Sequence, residues 1–226
     1  MTPIVLVGTG KIAEVALYFF QNHSQFDVVA AAVDAPFKTA DYWNGLPLVD
    51  FEKIEVLYPP NKYDLFVAVG YQDINRFRQN LCSRARAKGF NLISYVHPNS
   101  GVPLDCVHGD NCFLMNNVLI HPKVKLGNNV FIWSGAMVGH HSLVGDNCWL
   151  TSCANISGNV TLGANCFLAV NSTVANDVSL GEECFVGANA LVTKCADHST
   201  VYLEGATVPF RLNTPQFLRL SGFGNG

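Results

Sequence analysis

The sequence predicts two units in series, a small parallel α/β sheet over residues 1–100 and a triangular parallel β-helix over 101–204, followed by a tail, 205–226. Three observations carry this. In the first hundred residues, short apolar runs alternate with segments of helical spacing. From about residue 101 the helical spacing vanishes and an aliphatic side chain recurs every sixth position. A second period, of eighteen, overlies the first, so that three six-residue sides close one turn.

The elements follow in order. Residues 4–7 are a buried-type strand, followed by Gly8-Thr9-Gly10 and an amphipathic stretch over 12–20. A second strand, 28–33, ends at Asp34, and a third, 65–69, ends at Gly70. Between them residues 35–63 are irregular, with Pro47-Leu48-Val49 as a candidate short strand. Ile74, Phe77, Leu81 and Ala85 then mark one helix face, with Arg76, Arg78, Arg84 and Arg86 mostly on the other. Residues 92–96 close the set. Strand, helix, strand repeated is the pattern of a Rossmann-like parallel sheet.

Beyond it, Leu114, Ile120, Leu126, Ile132 and Val138 begin a series that reaches Val192 at six-residue steps without a slip. Val102 extends it backwards, with His108 as its one polar interruption. Two residues before each member stands a small or β-branched side chain, such as Val124, Ala136, Ser142 or Cys148. Gly109, Gly127, Gly145, Gly163 and Gly181 are each three hexads apart. Large and small residues both point inward, and successive coils pair their backbones at about 4.8 Å.

Composition fits that architecture and narrows the function. With 49% hydrophobic and 14% charged residues, the 226-residue chain is not disordered. Fourteen basic against 17 acidic residues leave no electrostatic footprint for nucleic acid. No apolar run, 28–33 being typical, is long enough to span a bilayer. MTPIVLVGTG reads as a first strand rather than a leader, so a cytoplasmic location with reduced cysteines is expected. The eight cysteines contain no CxxC pair. Cys106, Cys112, Cys148, Cys166 and Cys184 take the small inward slot, Cys82 lies on the helix, and Cys153 and Cys195 fall off the register. No metal site is expected.

Taken by itself, Gly8-Thr9-Gly10 followed by Ala13 rather than a third glycine is a weak dinucleotide fingerprint, although such a turn does bring backbone N–H groups and a helix N-terminus to a phosphate. Together with Lys11, Asp34, Ala68-Val69-Gly70, Val96-His97-Pro98, His140 and Ser157-Gly158-Asn159-Val160, it resembles the hexapeptide-repeat acyltransferases. The nearest likeness is to the bacterial nucleotide-sugar acetyltransferases of the bacillosamine and sialic-acid type, over nearly the whole chain. That resemblance implies a left-handed β-helix, a homotrimer, and an acyl-CoA (acetyl-CoA above all) bound between neighbouring subunits. It also implies a nucleotide-linked sugar (UDP, dTDP or GDP) held by Gly8, Thr9, Gly10, Lys11, Asp34 and Gly70. Lys11 either approaches the diphosphate or is a solvated lysine.

The expected activity is direct N-acyl transfer to the amino group of that sugar. Sugar O-acetylation and non-catalytic nucleotide-sugar binding are the alternatives. His140 is the implied general base, since imidazole titrates near neutrality, and His141 beside it is a second catalytic candidate. The Gly158 N–H is the implied oxyanion donor, or the glycine simply relieves a tight corner. Acyl-CoA is expected at Trp149, Gly158 and Val170. Three departures from the family stand out. His141 replaces a carboxylate, Trp133 and Trp149 replace polar residues, and Gly205 and Pro209 are separated by three residues where relatives have a Gly-x-Pro turn.

Overall fold

The computed structural model describes residues 2–221. β1 (Thr2–Val7), β2 (Phe26–Val33), β3 (Tyr42–Trp43), β4 (Leu46–Asp50) and β5 (Asp64–Val67) form one sheet in the order β3-β4-β2-β1-β5. Every pairing is parallel except the β3–β4 hairpin. α1 (Lys11–His23) packs Ala13, Ala16, Leu17 and Phe20 on one face of the sheet. The short α2 (Ile54–Leu57) and α3 (Arg76–Ala87) cover the other face through Ile54, Leu81, Cys82 and Ala85.

Residues 92–96 do not complete this sheet as a strand. Leu92 bridges Leu65, and the chain then passes to the solenoid, where β6 (Tyr95–Val96) pairs with β7 (Phe113–Leu114). α3 begins at Arg76 rather than Ile74 because Asp73, Ile74 and Asn75 all hold left-handed φ, at 50°, 44° and 71°.

From β7 to β20 (Leu191–Val192) each strand pairs in parallel with those of the coils above and below, forming the three stacked sheets of a left-handed β-helix. At every sixth residue from Asn111 to Asn189 the backbone turns a corner with positive φ. Asparagine dominates these corners because it tolerates that conformation best among non-glycine residues. Gly135 and His141 stand at two of them, at φ 77° and 62°. The first coil is incomplete: Gly101 and Val107 make only single bridges, Cys106 is half-buried and His108 is exposed.

The inward cysteines do more than fill space. The thiols of Cys112, Cys148 and Cys166 donate to the carbonyls of Gly127, Gly163 and Gly181, fifteen residues on, and Ser142 does the same to Ser157. Burial pushes the Cys112 thiol up to about 11 and Cys82 to about 12, so both stay protonated.

One solenoid sheet is apolar on its outside as well. Phe113, Phe131, Trp149, Phe167 and Phe185 recur at steps of eighteen along its outer face. The first three are almost wholly buried, against Phe19, Phe66 and Tyr71 of the α/β unit. Burying a ring of this size stabilises by roughly 1.5–3 kcal/mol, and the solenoid and sheet share one core.

α3 lies along the adjoining corner. Arg86 pairs with Asp110, Arg78 reaches Asn129 and Asn147, Asn75 reaches Asn165, and Arg76 pairs with Glu183. Arg78 is thus fully buried, not on the solvated helix face.

At the junction, His97 is buried beside His23, and desolvation followed by that neighbour lowers its pKa below the usual 6.5. The fold therefore favours neutral His97 while the unfolded chain protonates more readily. Its stability contribution is complete above about pH 6.5 and declines as pH falls through the lowered native value. Urea unfolding between about pH 8 and pH 5 is expected to show this slope, and His97→Gln to flatten it. α4 (Thr214–Ser221) and residues 203–213 pack little on their own chain, with Phe210 and Phe217 exposed. Phe223 lies outside the described residues.

Candidate active site

A cleft of about 1200 Å³ opens at the C-terminal edge of the α/β sheet. It gathers Gly8, Thr9, Gly10, Lys11, Asp34 and Gly70, with Phe37, Tyr71, Gln72, Asp73 and Arg76 completing the wall. Gly8 is required there: its φ is 122° and a Cβ would lie 2.7 Å from the Ala68 carbonyl oxygen. The turn delivers α1 N-terminus first. Gly10 caps the helix without a side chain, so first-turn N–H groups face the cleft and favour an anion. Asp34 lines the cleft, but both its oxygens already accept from Arg84, at 3.0 and 2.5 Å. Arg84 also pairs with Glu52 and lies 4.9 Å over Phe51, and these carboxylates raise its pKa. The loop residues of the wall were invisible in the sequence because they follow no period.

The second centre is a solenoid corner. His140 and His141 are both exposed, and their Nδ1 atoms lie 3.2 Å apart. His141 takes the left-handed corner position, which turns its ring back towards its neighbour. The His140 ring rests on Gly158 in the next coil, where a Cβ would come within 2.6 Å of Cε1 and 2.7 Å of Nε2. Gly158 thus clears the seat of His140, and its own N–H donates to Asn176 Oδ1 at 2.9 Å rather than standing open.

The residues expected for acyl-CoA do not converge within one chain. Trp149 is only 1% exposed, wedged among Phe131, Tyr71 and Arg78 on the sheet facing the α/β unit. Its packing there leaves no surface for a ligand, and its place in the aromatic column explains why it is a tryptophan. Val170 is 47% exposed but lies beside another corner, that of Asn171, while Gly158 lies under His140. Among the described residues no three His, Cys, Asp or Glu side chains cluster as a metal site requires, and no helix is long and apolar enough to cross a membrane.

Residues 105–140 match the bacterial transferase hexapeptide family (six repeats), and residues 159–194 match the hexapeptide repeat of succinyl-transferase. None of the curated proteins compared matches the chain. Among solved structures, PerB from Caulobacter crescentus, in complex with CoA and GDP-perosamine, is 28% identical with a TM-score of 0.78, covering 88% of this chain and 92% of that one. Hexapeptide repeats in this setting mark the chain as an acyltransferase. Two further structures share its fold. The acetyltransferase domain of PglB from Neisseria gonorrhoeae, with acetyl coenzyme A, has TM-score 0.76 at 21% identity over 88% of this chain and 95% of that one. WeeI from Acinetobacter baumannii has TM-score 0.75 at 17% identity over 88% and 96%.

In this acyltransferase the two centres sit on opposite sides of the prism. The α/β unit covers the aromatic sheet and the corner of Asn129 and Asn147. His140 and His141 stand at the corner between the other two sheets, between β11 (Met137–Val138) and β12 (Leu143–Val144). The cleft and the histidines of one chain therefore lie on different sides of the solenoid.

Proposed function

We propose that the enzyme transfers an acetyl group from acetyl-CoA to the amino group of a nucleotide-linked sugar, with His140 as general base. The observation that supports this most directly is the seat of His140. Its ring is fixed on Gly158, its Nδ1 is engaged by His141, and its Nε2 makes no hydrogen bond among the described residues. When His140 Nδ1 carries the proton and His141 Nδ1 accepts it, Nε2 keeps a lone pair for the acceptor amine. A neutral imidazole thereby does the orienting that a carboxylate does elsewhere, through a hydrogen bond rather than a charge.

The amine nitrogen attacks the thioester carbonyl carbon as His140 Nε2 takes its proton. The C–N bond forms, the tetrahedral oxyanion collapses, the C–S bond breaks, and the proton passes to the departing CoA thiolate. Asn176 Oδ1 marks where a carbonyl oxygen meets the Gly158 N–H, so Asn176 turns aside as the thioester enters and that N–H becomes the oxyanion donor. The glycine turn and the N-terminus of α1 hold the diphosphate, and Lys11 adds charge at the same turn.

Because cleft and histidines lie on different sides of the solenoid, the sugar held by one subunit reaches His140 of another. A homotrimer, with acyl-CoA between neighbouring solenoids, satisfies that demand and brings the corners of His140 and Val170 from different subunits within reach of one ligand. A cytoplasmic location goes with this reading. PerB, with GDP-perosamine and CoA, is the parallel.

The test is release of CoA thiol from acetyl-CoA with UDP-, dTDP- and GDP-linked 3-amino and 4-amino sugars, on protein whose mass in solution is measured. Release with one amino sugar and a trimeric mass are expected. Release only with hydroxyl acceptors would convert the reading to O-acetylation, and no release despite nucleotide binding would convert it to a binding protein.

A further inference from the structure

The transfer chemistry leaves one buried cation unused. Arg78 on α3 has no exposed surface, and among the described residues no carboxylate reaches it. Its five N–H groups go instead to neutral acceptors: Asn129 Oδ1 at 2.9 Å, Asn75 Oδ1 at 3.0 Å, and the carbonyls of Asn147 at 3.0 Å, Asn129 at 3.2 Å and Gly70 at 3.3 Å. The guanidinium lies 4.5 Å over Phe131 and 5.0 Å over Trp149. Desolvation lowers its pKa to about 10, which leaves it charged at neutral pH. Holding helix to solenoid does not need such a group, since apolar side chains of similar volume pack as well without the desolvation cost.

What only the guanidinium does is join two places. Asn129 and Asn147 are successive corners of one column, and the coil that runs between them carries His140 and His141 at its far corner. Gly70 and Asn75 are the two ends of the segment whose Gly70, Tyr71, Gln72 and Asp73 wall the cleft. That segment is held in a costly conformation, three successive left-handed residues including the β-branched Ile74. Its remaining ties are also to the solenoid: Tyr71 packs on Phe167 at 4.7 Å and Asn75 Nδ2 donates to the Asn165 carbonyl.

We propose that Arg78 is a positioning residue for the acceptor, fixing the 70–75 wall of the cleft to both ends of the coil that bears the catalytic histidine. The inference rests on the cleft being the nucleotide-sugar site. In a trimer whose axis runs along the solenoid, neighbouring coils share one height, so a wall registered to its own coil is registered to the neighbour's His140 as well.

The test compares Arg78→Met, Arg78→Lys and Asn75→Ala with wild type in steady-state kinetics, and in calorimetric titration with GDP, UDP and dTDP. Arg78→Met is expected to raise the KM for the nucleotide-linked amino sugar about tenfold or more, with the acetyl-CoA KM within about twofold. Weakening of nucleoside diphosphate binding is expected to follow the acceptor KM. Asn75→Ala, which removes one acceptor and the tie to Asn165, should shift the same constant in the same direction by less, and Arg78→Lys should fall between wild type and Arg78→Met. An unchanged acceptor KM with reduced thermal stability, or equal rises in both KM values, would overturn the assignment. If Arg78→Met does not fold, Asn75→Ala decides by the same criteria. Absence of nucleoside diphosphate binding to wild type would overturn the reading of the cleft itself, and the role of Arg78 with it.

Discussion

Replacing His140 by alanine is expected to lower turnover by about two orders of magnitude or more while the assembly persists. The side chain is exposed on a corner and its contacts are the ring of His141 and the backbone of Gly158, so little of the fold depends on it. Its backbone carbonyl, which accepts from the Asn159 N–H, is untouched by the change. What disappears is the group that accepts the amine proton. His141→Ala removes the partner at Nδ1 and leaves the base in place, so a smaller loss of about tenfold is expected. Thiol release at saturating acetyl-CoA, with sedimentation of both variants, makes the comparison. Turnover of His140→Ala near that of wild type would remove it from the mechanism.

Gly158→Ala should imitate much of that loss without touching a histidine. Gly158 has no left-handed φ to strain, and each of the three atoms nearest its absent Cβ belongs to the His140 ring, at 2.6, 2.7 and 3.1 Å. The movable side chain gives way, and the rung survives. Gly139 shows the contrast, since a Cβ there would meet the Ser157 backbone carbon at 2.5 Å and disrupt the stack. Turnover of Gly158→Ala is expected to fall about 10- to 100-fold through displacement of the base, with a thermal midpoint close to wild type. Combining it with His140→Ala should add almost nothing, because both act on the same group. Additive losses in the double variant would mean that Gly158 acts independently of His140.

Much of this was legible in the sequence, and for a physical reason. A solenoid repeats its environment, so the same inward slots demand the same residue sizes eighteen positions apart, and the period survives every substitution between Leu114 and Val192. The strands β1, β2 and β5 were legible because each is a largely buried apolar run. Contacts between the two units left no such trace. Arg78 looks like its solvated neighbours in sequence, and its burial is made tolerable largely by acceptors that a distant segment supplies at the solenoid corner. Trp149 reads as a site residue when taken beside Trp133. Taken beside Phe113, Phe131 and Phe167, it belongs to a column that faces the sheet. The glycine turn is a short motif whose chemistry is local and His140 stands out only through the family resemblance, whereas Tyr71, Gln72 and Asp73 line the cleft on a segment tied by Asn75 and Arg78.

The alignment of α3 along the Asn129 corner has a consequence for how such a chain varies in length. Its contacts with Asp110, Asn129, Asn147, Asn165 and Glu183 advance one coil after another, a rise of about 4.8 Å each time. An added coil between residues 110 and 183 would carry every later partner beyond the reach of the helix. An added hexad would rotate every later side chain onto the wrong sheet. Past Glu183 a whole added turn displaces no partner of the helix. Growth or loss of whole eighteen-residue turns is therefore confined to the far end of the solenoid, and the stretch beside α3 keeps a fixed number of turns.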